Sequence, residues 1–232
     1  MKSLLRIFPS LFLGSIFLLT LAAAAAQEKS VKPGINKHYG AVAVENKVKQ
    51  FENEQRDVVK RLDEIIDFCE LKPGMDVADV GAGTGLFTRP FAAKVAPGGK
   101  VFAVDVTEKF LDHVEESCRK QNIDNVVCVL CTQESTELAT ASVDRVFICD
   151  TYHHMEYPYK VLESIHRAMR GGGRLIIVDF KKEEGVSPNW VKGHVRADKK
   201  TVIDEVTNAG FKFLDEAGLM KIQYVIRFEK VQ

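Results

Sequence analysis

The feature that most constrains this chain is a short apolar run followed at once by a cluster of glycines. Val77, Ala78 and Val80 form the run, and glycine occupies alternate positions from Gly81 to Gly85. An apolar run of this length, bounded by turn residues, predicts a buried parallel strand. Because glycine carries no Cβ, the loop can turn sharply and approach a ligand closely. The helical pattern that follows predicts backbone N–H groups that face a polar or anionic group.

The spacing of the glycines separates two classes of nucleotide-binding loop. A dinucleotide fingerprint requires the pattern G-x-G-x-x-G. Here Leu86 stands where the third glycine of that fingerprint should be, and the acidic residue Asp79 leads the loop. The pattern acidic-x-Gly-x-Gly-x-Gly resembles motif I of the class I S-adenosylmethionine-dependent methyltransferases. An NAD-dependent oxidoreductase is the disfavoured alternative.

The resemblance implies S-adenosyl-L-methionine as the cofactor. In that family the loop wraps the methionine half of the cofactor, and the leading acid contacts its amino group. The cofactor-binding residues that this implies in the loop are Asp79, Gly81, Ala82, Gly83 and Gly85.

A second acidic residue follows at the end of the next predicted strand, over 100–105. Asp105 ends that strand, and a carboxylate in this position can accept hydrogen bonds from both ribose hydroxyls. Capping of the following helix, predicted over 107–121, is the alternative role. We predict ribose binding by Asp105, with Val106 beside it in the cofactor site.

The third predicted strand, over 126–130, leads into a loop that begins Cys131-Thr132-Gln133. In the resembling family, residues just after this strand contact adenine, usually through an acid followed by a backbone N–H. Thr132 takes the place of the acid in this chain. The resemblance therefore implies that Thr132 and Gln133 lie against the adenine.

The loop after the fourth predicted strand, over 143–149, carries Asp150, His153 and His154. Ligands of open α/β sheets bind outside the carboxyl ends of the strands, which places this loop at the site. Related methyltransferases often carry a His here, so His154 and His153, with Asp150 third, are the predicted general bases. No carboxylate or Cys lies at a spacing that would complete a metal site with the two histidines, so no metal is predicted.

The order of elements predicts an α/β fold. The resemblance specifies a doubly wound, Rossmann-like methyltransferase sheet of about seven strands with the last strand antiparallel. A long helix is predicted over 44–69, and a glycine turn at Gly171–Gly173 is predicted to precede the fifth strand, over 174–180. The segment 181–200 is predicted to be irregular, with Trp190 either forming a pocket wall or covering the sheet edge.

Three regions are predicted along the chain. Residues 1–26 have the basic start, apolar centre and small-residue end of a secretory signal peptide, which predicts an exported protein. An uncleaved leader that holds the protein near a membrane is the alternative. Residues 27–43 form a linker, either a tether or a lid, and 44–232 form the methyltransferase domain.

Composition bears on partners and compartment. The chain contains 32 lysine and arginine residues and 32 aspartate and glutamate residues, so its formal net charge is zero. This balance does not indicate a nucleic-acid-binding surface. The five cysteines are an odd number, which argues against a disulfide framework and conflicts with export.

The predicted function is methyl transfer from S-adenosylmethionine to an unidentified, small-molecule acceptor. The sequence resembles, loosely, the quinone-ring C-methyltransferases. A protein-isoaspartate carboxyl methyltransferase is one alternative, since 86–88 and 98–101 also occur in the style of that group. The other alternative is a cofactor-binding protein without catalysis. The sequence does not predict the oligomeric state.

Overall fold

The computed structural model describes residues 27–37 and 43–231. The predicted signal peptide and residues 38–42 of the predicted linker lie outside the described residues. The helices are α1 (Val44–Phe51), α2 (Asp57–Lys60), α3 (Leu62–Phe68), α4 (Thr88–Val95), α5 (Glu108–Lys120), α6 (Pro158–Ala168), α7 (Asn189–His194) and α8 (Lys199–Asn208). The strands are β1 (Val77–Val80), β2 (Val101–Asp105), β3 (Val126–Leu130), β4 (Val143–Cys149), β5 (Met169–Phe180), β6 (Phe211–Ala217) and β7 (Gln223–Lys230). Among the described residues, none of the helices has both the length and the apolar character needed to cross a bilayer.

The strands form one seven-stranded sheet in the order β3-β2-β1-β4-β5-β7-β6. β1 pairs in parallel with both β2 and β4, whereas β7 is antiparallel to β5 and β6. The predicted doubly wound sheet with an antiparallel last strand is thereby confirmed. The chain order reverses direction across the sheet at β1 and β4, so the loops after these strands face each other at one edge. That edge is where ligands bind in open α/β sheets.

Both faces of the sheet are buried, as the apolar runs predict. Val146 and Ile148 of β4 pack on one face, in a cluster that also contains residues of α6 and α8. Phe147, between them, packs on the other face against Phe87 and Phe91. Alternate side chains of a strand point to opposite faces, so a continuous apolar run fills both layers.

The helix predicted over 44–69 is wrong as a single element. α1 ends at Phe51, and a turn follows in which the Asn53 side chain accepts a hydrogen bond from the Gln55 N–H at 2.8 Å. Asparagine favours such turns because its side chain competes for backbone hydrogen bonds. The break lets Arg56 reach Asp150 in the loop after β4, at 2.6 Å.

The fifth strand begins earlier than predicted. β5 starts at Met169 and includes Gly171–Gly173, which the sequence assigns to a turn. Its pairing with β4 shifts between Val143, opposite Met169, and Arg145, opposite Arg174. The extra residues form a bulge in the ladder, and glycine is the residue that such irregularities favour.

The segment 181–200 is also more ordered than predicted, since it contains α7. Pro188 precedes this helix, and the side chain of Val191 within it is fully buried. α7 carries Trp190 and His194 towards the loop after β4. α8 then begins at Lys199, with the Asp198 side chain accepting a hydrogen bond from the Thr201 N–H.

Candidate active site

The glycine loop after β1 has the backbone conformation that its sequence predicts. Gly81, Gly83 and Gly85 have φ values of +76°, +53° and +81°, all in the left-handed region. A Cβ on Gly81 would lie 2.2 Å from the Thr151 side chain, so this glycine allows close approach of the loop after β4. The two loops therefore pack together at the edge of the sheet.

Asp79 is buried beneath the glycine loop. Its Oδ2 accepts a hydrogen bond from the Thr88 hydroxyl at 2.6 Å. Burial, together with the nearby charge of Asp105, raises the pKa of Asp79 to about 7. This carboxyl group joins the loop to the first turn of α4.

Asp105 connects the end of β2 to the glycine loop. Its Oδ2 accepts from the Gly83 N–H at 2.9 Å, and its Oδ1 accepts from the Thr107 N–H at 2.8 Å. Burial raises the pKa of Asp105 above its usual value, although these backbone hydrogen bonds oppose that shift. A carboxylate has about four acceptor positions, so it can still accept from two hydroxyls of a ligand. This geometry is compatible with ligand binding, whereas the N-cap residue of α5 is Thr107, so Asp105 bonds the residue before the helix and does not cap it.

A cavity of about 750 Å³, counted with its open mouth, lies between the glycine loop and the loop after β4. Six of the predicted cofactor-binding residues border it, namely Gly81, Gly83, Asp105, Val106, Thr132 and Gln133. The other three, Asp79, Ala82 and Gly85, lie outside its wall. The predicted catalytic residues Asp150 and His154 also border it, whereas His153 does not. We call this space the first cavity.

Several residues of the first cavity were not predicted from the sequence. Phe51 at the end of α1 and Phe110 in α5 form an aromatic wall, with ring centroids 6.1 Å apart. Asn36, from the predicted linker, also borders the cavity. No sequence motif marks these positions, because they reach the cavity through the packing of distant segments.

Thr132 and Gln133 meet the first cavity in different ways. The Thr132 hydroxyl accepts hydrogen bonds from the N–H groups of Glu134 and Ser135, so it stabilises its own turn. The Gln133 side chain accepts a hydrogen bond from the Asn36 amide at 2.9 Å. Their predicted contact with adenine stays a prediction.

Residues 27–37 pack over the loop after β4. Val31 N–H donates to the Glu156 carbonyl, and the Glu156 carboxylate accepts from Ser30 and from the Gly34 N–H. Asn36 donates to the His154 carbonyl at 2.9 Å. These contacts are those expected of the lid alternative for the predicted linker.

Asp150 stands at the end of β4 with two partners. It receives hydrogen bonds from Arg56 and from Gln223 of β7, both at 2.6 Å. Burial and the charge of Asp179 raise its pKa to about 6, although Arg56 opposes the shift. Arg56 therefore stabilises the charged form of Asp150.

His153 is held by a buried carboxylate. Its Nδ1 lies 2.7 Å from Asp179 Oδ1, and its backbone N–H donates to Asp179 Oδ2 at 2.9 Å. Burial opposes the charged imidazole, but the Asp179 carboxylate outweighs it and raises the pKa of His153. The sequence gives no sign of this pair, since His153 follows β4 and Asp179 lies in β5, 26 positions further along the chain.

His154 faces a third histidine. Its Nε2 lies 3.4 Å from Nε2 of His194 on α7. Burial, together with the neighbouring His153 and His194, lowers the pKa of His154 to about 3. The sequence-based prediction of no metal considered only carboxylates and cysteines as partners of His153 and His154, and it stays a prediction. The missing candidate is His194, which the fold brings from 40 residues away.

A second cavity adjoins the first and shares Asp150 and His154 with it. Its volume is about 1030 Å³ with its open mouth included. His153, His194 and Trp190 also border it, and Trp190 packs edge-on against Phe180. Trp190 is thus a pocket wall, one of its two predicted roles.

The first cavity fits a nucleoside cofactor. It combines an apolar and aromatic lining with a buried carboxylate, the arrangement typical of small-molecule sites. A Cβ on Gly83 would point to the Phe51 ring at 3.5 Å, so a larger side chain there would fill the cavity. The sheet order, the glycine loop and the strand-end acid together define an α/β domain that binds a nucleoside cofactor.

Comparison with known proteins agrees with this class. Residues 78–177 match the Methyltransferase domain family. A ubiquinone/menaquinone biosynthesis C-methyltransferase UbiE from Bordetella parapertussis is 26% identical over 152 residues, which cover 63% of this chain and 57% of that protein. The corresponding protein of Pasteurella multocida is 30% identical over 118 residues, covering 50% and 44%. The chain thus spans less than two thirds of the length of these curated relatives.

Solved structures agree as well. A SAM-dependent methyltransferase from Aquifex aeolicus is similar with a TM-score of 0.72 and 26% identity, covering 80% of this chain and 98% of that chain. The [4+2]-cyclase SpnF, with a TM-score of 0.65, 16% identity and coverage of 75% and 81%, shares the fold. Residues 78–177 therefore form a methyltransferase domain of the class I S-adenosylmethionine-dependent type, and this family and fold imply S-adenosyl-L-methionine as the cofactor.

Proposed function

We propose that this methyltransferase acts on a small-molecule acceptor that binds in the second cavity. The observation that carries the proposal is the junction of the two cavities, where Asp150 and His154 border both. The curated relatives are named as C-methyltransferases of ubiquinone and menaquinone biosynthesis, which makes a ring-bearing small molecule the reference acceptor. A pocket with an open mouth and an aromatic wall suits such a molecule.

The residues of the first cavity would bind and orient the cofactor. We propose that Asp105 accepts the ribose hydroxyls and that the loop from Gly81 to Gly85 lies along the amino-acid part. Thr132 and Gln133 would border the adenine, with Val106 against it. When bound, the cofactor supplies a sulfonium-activated methyl group. Alignment of the acceptor in line with that group would provide most of the rate.

The residues at the junction would handle the acceptor's proton. A base is most effective when its pKa lies near the operating pH. Asp179 raises the pKa of His153, whereas the pKa of His154 is about 3. These electrostatics favour His153 as the base, with His154 as a neutral hydrogen-bonding group and Asp150 as a second carboxylate at the junction.

The proposal is tested with methyl-labelled S-adenosylmethionine and a cell extract separated by size into small molecules and proteins. We expect label in the small-molecule fraction, dependent on the protein. Base-labile label on proteins would instead support carboxyl methylation of the isoaspartate type. Binding of the cofactor without labelling of either fraction would support a non-catalytic role.

The role of the junction is tested by variants of its histidines. His153→Ala should lower turnover by roughly 10²–10⁴-fold, the usual contribution of a general base. Affinity for S-adenosylhomocysteine should be unchanged, because a group that acts on the acceptor contributes only in the transition state. His113→Ala on α5, outside both cavities, is the matched control and should leave both quantities unchanged.

We also propose that the mature protein begins after residue 26 and is exported. The basic and apolar pattern of residues 1–26 supports this proposal. All five cysteines are free thiols. N-terminal sequencing of protein from the cell envelope tests the proposal, and a retained Met1 would contradict cleavage.

A further inference from the structure

Three imidazole rings meet at the wall of the second cavity. They belong to His153, His154 and His194, which we call the histidine cluster. The ring centroids of His153 and His154 are 4.2 Å apart, and each lies 5.0 Å from the ring of His194. One ring nitrogen from each side chain lies within 4.8 Å of the other two. The cluster joins two adjacent loop residues to a helix 40 positions further along the chain.

The spacing of the nitrogens matches the edge of a tetrahedral metal site. Zinc–imidazole bonds are about 2.0–2.1 Å long, which places two ligand nitrogens of a tetrahedron about 3.3–3.4 Å apart. The Nε2 atoms of His154 and His194 are 3.4 Å apart. Two of the three ligands therefore already stand at the separation that a bound ion requires.

A buried carboxylate orients the third ligand. Histidines that bind metals commonly donate their other ring N–H to a carboxylate, which fixes the ring and its tautomer. Nδ1 of His153 lies 2.7 Å from Asp179, and the two side chains are 4% and 1% exposed. Asp179 is itself held by the N–H groups of His153 and Phe180. This pairing leaves Nε2 of His153 as the nitrogen available to an ion.

The backbone of His194 is bonded to the segment 27–37. The Lys32 ammonium donates to the His194 carbonyl at 2.6 Å, which ties the end of α7 to residues 27–37. His194 itself is exposed, so the cluster is open to solvent along the second cavity. An ion held there would keep one coordination position facing the cavity.

We propose that the histidine cluster binds one divalent transition-metal ion of the zinc type through three imidazole nitrogens. Imidazole suits zinc and its neighbours, and three protein ligands with one open position are characteristic of catalytic zinc sites. The fourth position takes water or, if the proposed function is right, an oxygen atom of the acceptor. With an ion bound, the three histidines act as ligands, so the general-base role of His153 and the metal role are alternatives.

The test uses full-length protein stripped with a chelator and then titrated with Zn²⁺ by calorimetry. Co²⁺ is titrated in parallel, because its visible absorption reports tetrahedral coordination. We expect one ion per chain and a tetrahedral Co²⁺ spectrum. His194→Ala should abolish both, and this exposed residue can be replaced without disturbing the core. Asp179→Asn should weaken ion binding by about 10–100-fold, as substitutions of residues that hydrogen-bond to a metal ligand commonly do.

Two controls separate this inference from the proposed function. His113→Ala removes a histidine outside the cluster and should leave ion binding unchanged. Affinity for S-adenosylhomocysteine, measured on the same samples, should survive His194→Ala. Absence of stoichiometric Zn²⁺ binding, or binding that His194→Ala and His113→Ala affect equally, would overturn the metal site while leaving methyl transfer intact.

Discussion

Removal of the Asp105 carboxylate should weaken cofactor binding more than any other single truncation in the first cavity. The carboxylate joins β2 to the glycine loop through the Gly83 N–H and to α5 through the Thr107 N–H. It is 7% exposed, so its ligand-facing acceptors lie in a site that is largely sheltered from water. Asp105→Ala would leave both backbone donors and the bound ribose without this partner.

The magnitude follows from the cost of unsatisfied polar groups. Loss of one partner of a buried hydrogen bond costs about 1–3 kcal/mol. Since each 1.4 kcal/mol corresponds to tenfold in affinity, Asp105→Ala should raise the dissociation constant of S-adenosylhomocysteine by about 5–150-fold. Asp105→Asn keeps the volume and one acceptor oxygen, so its loss should be smaller.

Isothermal titration calorimetry with S-adenosylhomocysteine measures these constants. Asp112→Ala removes an exposed carboxylate from α5 and is the matched control. A thermal-unfolding scan of each variant identifies any general loss of structure. If folded Asp105→Ala binds within twofold of the wild type, the assignment of this carboxylate to the ribose is refuted.

Three further predictions concern the free energy of unfolding, which is measured by denaturant titration. Gly81→Ala should destabilise the fold by more than about 2 kcal/mol, because its Cβ would lie 2.2 Å from Thr151 and its φ is positive. Asp79 has a folded pKa of about 7, above its unfolded value of about 3.9, so its contribution to stability is full below pH 4 and is lost as pH rises through 7. Asp79→Asn should therefore reduce the fall in stability between pH 5 and 8. Glu205→Ala should cost about 3–5 kcal/mol, because it leaves the buried Arg196 without its carboxylate partner.

Each of these predictions has a control in the chain. Gly83→Ala shares the positive φ, but its Cβ would meet the Phe51 ring at an ordinary 3.5 Å, so it should destabilise less than Gly81→Ala. Asp204→Ala breaks the exposed pair with Lys200, one position from Glu205, and should cost less than about 1 kcal/mol. Equal losses of stability for Gly81→Ala and Gly83→Ala, or for Glu205→Ala and Asp204→Ala, would contradict the first or the third argument. Identical pH profiles of stability for the wild type and Asp79→Asn would contradict the second.

The sequence predicted the parts of the site that depend on local pattern. The strand β1, its glycine loop and Asp105 lie within 30 residues, and each has a residue type that its conformation or position favours. The alternation of apolar runs with helical periods predicted the α/β class, and the family resemblance supplied the seven-stranded sheet with its antiparallel last strand. The glycine loop and the strand-end acid are encoded over short distances, whereas the sheet topology and the cofactor class came from the family resemblance.

The features that the sequence did not predict depend on contacts between distant segments. Asn53 stabilises the turn after α1 by a side-chain hydrogen bond, and the apolar residues at helical spacing on either side conceal this turn. His194 lies in a segment with no apolar period long enough to predict α7, so its meeting with His154 could not be foreseen. The pairing of His153 with Asp179 depends on the register of β4 against β5, which the sequence alone does not specify.

The most direct test of the central claim is a crystal structure of the protein with S-adenosylhomocysteine. The claim is that the cofactor occupies the first cavity with its sulfur directed to the junction with the second. The predicted result is that the ribose hydroxyls lie within hydrogen-bond distance of Asp105 and that the sulfur faces the opening between Asp150 and His154. A ribose away from Asp105, or a sulfur that faces away from the second cavity, would contradict the account.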